Sequence, residues 1–424
     1  MHLFRHFKKL VWFAIGDSLW KLNAFVVIAV VSRTTPKWQA AAYVLSQTVL
    51  SLYITTGDLG FRAIGTRLIA SNNNLTNLEY IYKEAGKKRL LSAAILGVPV
   101  AIIATLTIAG KSDTAWIIAF LVACWSPYFA FNDWALHALK EFRLLTYLRL
   151  LVILCVLFGV IASYLLSQGI WPIGVGYCAG FVIAHYVSTS AIKHKYSIIT
   201  EQNNKLQHYI PTGLEWRPAL ILGGAFALNG LFHGQEILIT GRFLGQETAA
   251  SFAAGLRIIL LACSINWIVT QFATPYLALY TARLSKSIIL VLIPIILVAL
   301  ILTLILALFA SELCSLIYGR VFPDATIVVK SLTPILLLDA IVAYGGAIIV
   351  MNWPAEAAVV CVVAGCLGSI IAFVTCVATG LNSINAPIVA KYCGYISLLS
   401  AQCIYLFIHL YRKSGKENIE DRAF

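Results

Sequence analysis

The sequence predicts an all-α polytopic membrane protein, with twelve transmembrane helices in two six-helix lobes and both termini in the cytoplasm. Three observations carry that prediction. The 424 residues are 60% hydrophobic and only 12% charged, against roughly 25% charged in soluble domains. Apolar windows of bilayer length, about 20 residues each, recur twelve times. Lys and Arg gather on alternate loops.

The N-terminus, MHLFRHFKKLVWFAIGDSLW, joins a basic start to an apolar run. Asp17 interrupts that run and no small-x-small cleavage site follows. It therefore reads as an uncleaved first span, 10–31, and not as a signal peptide. The other windows are 39–62, 90–109, 115–137, 148–166, 170–192, 217–239, 248–278, 287–310, 326–350, 355–379 and 385–411. Pro127 is a candidate break in the fourth, and Pro275 a bend near the end of the eighth. Midway along the chain, KHKYSIITEQNNKLQHYIPTGLEW, 193–216, forms a central cytoplasmic loop. It separates an N-terminal lobe, 1–192, from a C-terminal lobe, 217–411, and 412–424 forms a cytoplasmic tail. A faint parallel repeat spans the lobes: AAAY (40–43) precedes TRL (66–68), and AASF (249–252) precedes ARL (282–284). Each follows a short outer loop bearing Arg33 or Arg242, and transporters are often built from such repeats.

Orientation follows the positive-inside rule. With the N-terminus in the cytoplasm, inside segments hold 21 of the 31 Lys and Arg residues, and the outer loops hold five: Arg33, Lys37, Lys111, Arg242 and Arg320. Lys21, Arg62, Arg257, Lys330 and Lys391 lie in or at the edge of spans. This asymmetry accounts for the net charge of +13 without a nucleic-acid partner. The ten Cys residues fall within or beside apolar runs. They read as small packing residues, because no paired Cys/His spacing suits a zinc ion. GKS at 110–112 lacks the upstream glycine of a phosphate loop, so ATP is not the fuel. There is no G-x-S-x-G and no H-E-x-x-H. A transporter is expected, with no catalytic residue, no metal and no cofactor.

A charge at the bilayer centre costs at least ~2.5 kcal/mol, so ionisable residues there face a partner or a cavity. In the window 39–62, Gln47, Ser51, Thr55, Asp58 and Arg62 are spaced 4, 4, 3 and 4 apart. That spacing makes one helical face and allows an Asp58–Arg62 pair. Asp17 and Lys21 repeat the i,i+4 pattern. Asn229, His233, Glu236 and Thr240 form a second row. Ser126, Asp133 and His137 form a third, and Arg257, Ser264 and Gln271 recur every seven residues. Glu236 and Arg257 lie at comparable depth, a placement that allows a pair across neighbouring helices. Such pairs either hold helices together or line a hydrated path; the long rows of neutral polar residues favour a path. His137 and His233 are either packed hydrogen-bond partners or proton carriers. Lys330 and Lys391, near the outer ends of their spans, are able to snorkel to water. Lys21, Arg62 and Arg257, with Lys391, suit a phosphorylated anionic cargo. Asp17, Asp58, Asp133, His137, His233 and Glu236 suit a coupling proton or sodium ion.

GDLGFRAIGTRLIAS (57–71) resembles the signature that closes the second helix of polysaccharide-exporting flippases. These are the Wzx-type O-antigen and repeat-unit translocases of the MATE/MOP superfamily. An acid, a glycine and basic residues come in that order, followed by a small-residue close. LIYGRVFPDATIVVKSLTPILLLD (316–339) is similar to the segment leading into the family's tenth helix, through Gly319, Phe322 and Ala325. ILITGRFLGQETAASFAAGLRI (237–258) is similar to its seventh-to-eighth helix turn, through Phe252 and Arg257. Two departures stand out: Glu236 where many relatives carry Asp, and Phe61–Arg62 between Gly60 and Ala63.

The resemblance covers essentially the whole chain. It implies alternating access of two six-helix lobes around a cationic cavity, driven by a proton or sodium gradient. The implied cargo is an undecaprenyl-pyrophosphate-linked oligosaccharide, such as an O-antigen unit, moved to the outer leaflet of a bacterial inner membrane. A polysaccharide polymerase and a chain-length regulator are implied partners. A MATE-like multidrug or cation antiporter is the nearest rival, but its cavity should be rich in acids and poor in bases. A membrane polysaccharide polymerase or ligase would use a large outer loop, and the outer loops here span about 5–15 residues. A non-transporting scaffold would not need the polar rows.

Overall fold

The computed structural model describes residues 2–71, 78–109, 111–166, 169–202, 216–279, 284–352, 355–381 and 383–420. Among them every regular element is helical. The first half holds α1 (His2–Thr34), α2 (Lys37–Asp58), α3 (Phe61–Ser71), α4 (Leu78–Ser92), α5 (Val98–Ile108), α6 (Ser112–Ala123), α7 (Asp133–Ala138), α8 (Phe142–Leu166) and α9 (Trp171–Gln202). The second half holds α10 (Trp216–Phe243), α11 (Gln246–Leu279), α12 (Leu284–Tyr318), α13 (Ala325–Leu332), α14 (Ile335–Asn352), α15 (Ala355–Ala378) and α16 (Asn385–Glu420). A π-helical turn at Ala93–Gly97 joins α4 to α5, and a 3-10 turn at Ser126–Phe129 lies between α6 and α7.

Among the described residues, seven helical stretches are long and apolar enough to cross a bilayer: Ala14–Thr34, Ile81–Ile108, Phe142–Leu166, Trp171–His194, Gln246–Asn266, Leu292–Tyr318 and Glu356–Ala378. A bent pair, Ala325–Leu332 with Ile335–Gly346, makes an eighth candidate. The stretch Leu292–Tyr318 has a mean hydropathy of 3.2, yet only 17% of its most apolar window is buried within the protein. Leu297, Leu300, Ile301, Leu304 and Leu308 stand exposed along it. Soluble proteins rarely expose an apolar face of that length, whereas acyl chains cover it at no cost. The chain is a multi-pass membrane protein. By contrast, α2 is internal, with 13 of its 22 residues buried. Neighbouring helices and not lipid surround it, so it keeps a polar row at the expense of mean hydropathy.

Among the described residues, three predicted windows are split between separate helices, and a fourth, 287–310, kinks at Phe309 (φ −109°, ψ 15°). The window 39–62 stops at Asp58, because Leu59 (φ 42°) and Gly60 (φ 74°) are left-handed and α3 restarts at Phe61. Asp58 and Arg62 are therefore not one helical turn apart. The window 115–137 is interrupted between Ala123 and Asp133, on either side of Pro127. The window 326–350 bends by 55° where α13 meets α14, at Thr333–Pro334. Two segments expected as cytoplasmic loop and tail are helical further than predicted: α9 runs to Gln202 and α16 to Glu420. Residues 203–215 of the central loop, 281–283 at the second repeat and 421–424 of the tail lie outside the described residues. So do the side chains of Gln271 and Pro275.

The chain divides into two compact units. The first comprises Met1–Gly230, Gly241–Ala250 and Cys314–Phe322, and the second Leu231–Thr240, Ser251–Leu313 and Pro323–Phe424. In the first, α2 lies against α4, α5 and α6, with Ala40–Tyr43 fully within the core. There α1 packs on α8, where the Thr146 hydroxyl donates to the Trp12 carbonyl at 2.9 Å. In the second unit, Ile295 and Ala299 of α12 pack against Ala340, Tyr344 and Ile348 of α14. There α15 and α16 approach closely through Gly365 and Gly394. A Cβ on Gly394 would lie 3.0 Å from Ser369 and 3.1 Å from the Phe232 ring. That approach sets α16 beside α10.

Candidate functional site

The first unit encloses a cavity of about 400 Å³. The row expected on α2 supplies one wall through Gln47, Ser51 and Thr55. Thr55 turns its hydroxyl hydrogen back to the Ser51 carbonyl at 2.9 Å. Asp17 from α1, Arg149 from α8, and Arg62 and Asp133 at the starts of α3 and α7 supply the charges. Trp20, Trp125, Tyr128, Phe131 and Phe181 complete an aromatic side.

The charges are paired, though not as spacing alone suggested. Asp17 binds Lys21 at 2.6 Å, as expected, and also lies 3.5 Å from Arg149. Arg62 is bonded to Asp133 at 2.8 Å and donates to the Tyr128 hydroxyl at 2.7 Å. Asp58 is bonded to Arg89 at 2.6 Å, and Arg89 also donates to the Phe131 carbonyl at 3.2 Å. The Asp58–Arg62 pair is thus replaced by two pairs, a consequence of the left-handed break between those residues. Arg89 is fully buried. Ser92 closes the joint by donating to the Gly57 carbonyl. His137 sits on α7 with its ring 5.4 Å from that of Phe142.

The second unit holds a sealed polar network. Lys391 and Glu236 are both 0% exposed. The Lys391 ammonium lies 3.2 Å from the Glu236 carboxylate and donates to the Phe232 carbonyl at 2.6 Å. It sits 4.5 Å from the centre of the Phe232 ring and 5.7 Å from that of Tyr395, a favourable cation–π arrangement. Ser369 donates to Glu236 at 2.8 Å. Beside it, Asp339 accepts from Tyr395 at 3.1 Å and from Asn266 at 3.3 Å. Glu236 therefore takes Lys391 as a partner, a contact not anticipated from depth along α10 and α11. Lys391 neither snorkels nor presents a face to cargo in this conformation. Arg257 is half-buried on α11. His233 is partly buried on α10, with its ring 5.3 Å from that of Phe232.

Sequence reasoning missed the aromatic wall of the cavity as a whole, and with it Arg89, Arg149, Asp339 and Tyr128. Arg89 and Arg149 were counted as cytoplasmic loop cations. The row Thr146, Arg149 and Val152, one face of α8, was the signal for Arg149. Asp339 is the lone acid in the window 326–350, which is itself a signal by the cost of burying a carboxylate. Tyr128 carries no signal beyond its place next to Pro127.

No protein-family model matches the chain, and no curated protein sequence matches it. Solved structures do share its fold. The lipid II flippase MurJ in an inward closed conformation is 12% identical, with 92% of this chain and 87% of that one covered and a TM-score of 0.64. A MATE transporter in complex with MaL6 is 13% identical over 97% of both chains, with a TM-score of 0.67. The eukaryotic MATE transporter AtDTX14 is 13% identical over 99% of both, with a TM-score of 0.65.

Proposed function

We propose that the chain is a flippase that moves an undecaprenyl-pyrophosphate-linked oligosaccharide, an O-antigen repeat unit, from the cytoplasmic to the periplasmic leaflet of a bacterial inner membrane. It is a transporter and not an enzyme. Its twelve spans form two lobes that alternate in access, with both termini in the cytoplasm and a proton or sodium gradient as the energy source. A polysaccharide polymerase and a chain-length regulator act next to it.

One observation carries this reading: a cavity of about 400 Å³ that holds Arg62 and Arg149 among aromatic and polar side chains. The resemblance of residues 57–71 to the repeat-unit translocases points the same way, and the fold shared with a lipid-linked-cargo flippase agrees. A transporter of cationic drugs should have a cavity rich in acids and poor in bases, whereas this one holds Arg62 and Arg149 beside Asp17 and Asp133. In this reading Lys21, Arg62 and Arg257 lie on the cargo path. Asp17, Asp58, Asp133, His137, His233 and Glu236 tune the cycle.

The test is made in the native host lacking this gene, by asking which leaflet holds the lipid-linked oligosaccharide. The expected result is accumulation on the cytoplasmic side, relieved by the wild-type chain and not by Arg62→Ala or Arg257→Ala at equal protein level. Single repeat units gathering on the outer side would overturn it in favour of a polymerase.

A further inference from the structure

The cavity of the first unit has a narrower chemistry than a general cationic path. Among the described residues, three cations, Lys21, Arg62 and Arg149, meet two carboxylates, Asp17 and Asp133. Asp58 and Arg89 cancel each other alongside. The cluster therefore has one positive charge in surplus. A pyrophosphate diester brings two negative charges and would leave the cluster net negative, whereas a group with one negative charge or none leaves it neutral or positive.

The walls indicate what such a group is. Trp20 and Tyr128 are half-buried rings that border the cavity. Both pack against other rings of the same wall, and the Arg89 guanidinium lies 5.6 Å over the Tyr128 ring. Trp20 lies 5.9 Å from Trp125 and 5.9 Å from Phe181, and Tyr128 lies 6.2 Å and 5.5 Å from the same two rings. The Arg62 guanidinium fixes the Tyr128 hydroxyl. The face of such a ring carries partial negative charge and attracts the slightly positive C–H face of a pyranose. Gln47, Ser51 and the Asp and Arg groups supply hydrogen bonds for the hydroxyls around its edge. A cavity of about 400 Å³ is within the usual range for a small ligand.

We propose that this cavity takes a saccharide ring of the cargo, neutral or bearing a single carboxylate, with Trp20 and Tyr128 as stacking faces, and that the pyrophosphate lies outside it. The inference rests on the flippase reading for the identity of the cargo. The binding chemistry stands on the cavity alone.

The experiment uses the purified full chain in nanodiscs and ligand-detected NMR. The probes are N-acetylglucosamine, galactose, mannose, glucuronate, inorganic pyrophosphate and tetraphenylphosphonium. At least one saccharide is expected to bind saturably. Trp20→Leu should weaken it at least tenfold, Trp20→Phe by less than threefold, and Gln47→Leu severalfold at unchanged thermal stability. Gln47→Leu keeps the test decisive if Trp20→Leu does not fold. Failure of all four saccharides, or binding that ignores both substitutions, overturns the inference. So does pyrophosphate binding that depends on Arg62 and Arg149. Tetraphenylphosphonium held at Trp20 in place of any sugar overturns it in favour of a lipophilic-cation site. Saccharide binding without leaflet translocation would sink the flippase reading alone. Translocation with pyrophosphate as the ligand of this cavity would sink this inference alone.

Discussion

The side chains that matter most are those whose charge has no route to water. Lys391 and Glu236 are both fully buried. Removing one partner of such a pair leaves the other charged in a low-dielectric interior, at about 3–5 kcal/mol. Lys391→Met should therefore lower the unfolding temperature sharply. The double variant Lys391→Met/Glu236→Gln should recover most of that loss, as read by thermal unfolding in detergent. A single variant as stable as the wild type would contradict the sealed pair. Tyr128→Phe is a milder change. It deletes one hydrogen bond to Arg62, worth about 1.5–3 kcal/mol to a charged partner, and should lower export more than stability. At this scale the sequence was half legible. Residue types and depths nominated Asp58, Arg62, Asp133 and Glu236, but spacing assigned Asp58 to Arg62. Only the tertiary fold brings Arg89 and Asp133 to them.

Helices were legible wherever composition alone sets them. The run of α8 and the run of α15 each fall close to their predicted windows. Breaks were not legible, because hydropathy is blind to φ. Leu59 and Gly60 are ordinary in an apolar window, yet both are left-handed. A left-handed conformation costs an L side chain roughly 1–2 kcal/mol, and a β-branched residue tolerates it least. Gly60→Val should therefore be destabilising by at least that amount and should disturb the Asp58–Arg89 and Arg62–Asp133 pairs together. Gly60→Ala should cost less. The measurement is thermal stability alongside export, and equal stability of all three proteins would contradict the turn. Pro127 was legible as a break because proline removes a helical donor. Thr333–Pro334 carries the same signal, at the bend between α13 and α14.

The multi-pass, all-helical character of the whole molecule was readable from its composition, since no soluble core could absorb so much apolar surface. Hydropathy ranks α12 well above α2, but which face of each helix meets lipid comes only from the packing. The exposed side of α12 supplies a direct test. Leu304 is 61% exposed, and Leu304→Arg places a guanidinium against acyl chains at about 2.5–3.5 kcal/mol. Membrane insertion and yield should fall, while Leu304→Phe should be neutral. An arginine tolerated at that position would mean the face is covered by protein or water.

The contrast between two lysines extends to how the molecule responds to its medium. Lys37 and Glu247 pair at 3.3 Å with side chains 56% and 79% exposed, so dissolved ions reach both. At 0.15 M salt the screening length is about 8 Å, and further salt weakens such a pair. Lys391 and Glu236 admit no mobile ion. Raising the ionic strength should loosen the turn between α10 and α11 at Glu247 and leave the α10–α16 joint unmoved. Hydrogen exchange at low and high salt would then show two behaviours in one chain: an outer seam tuned by the surrounding electrolyte and an inner one indifferent to it.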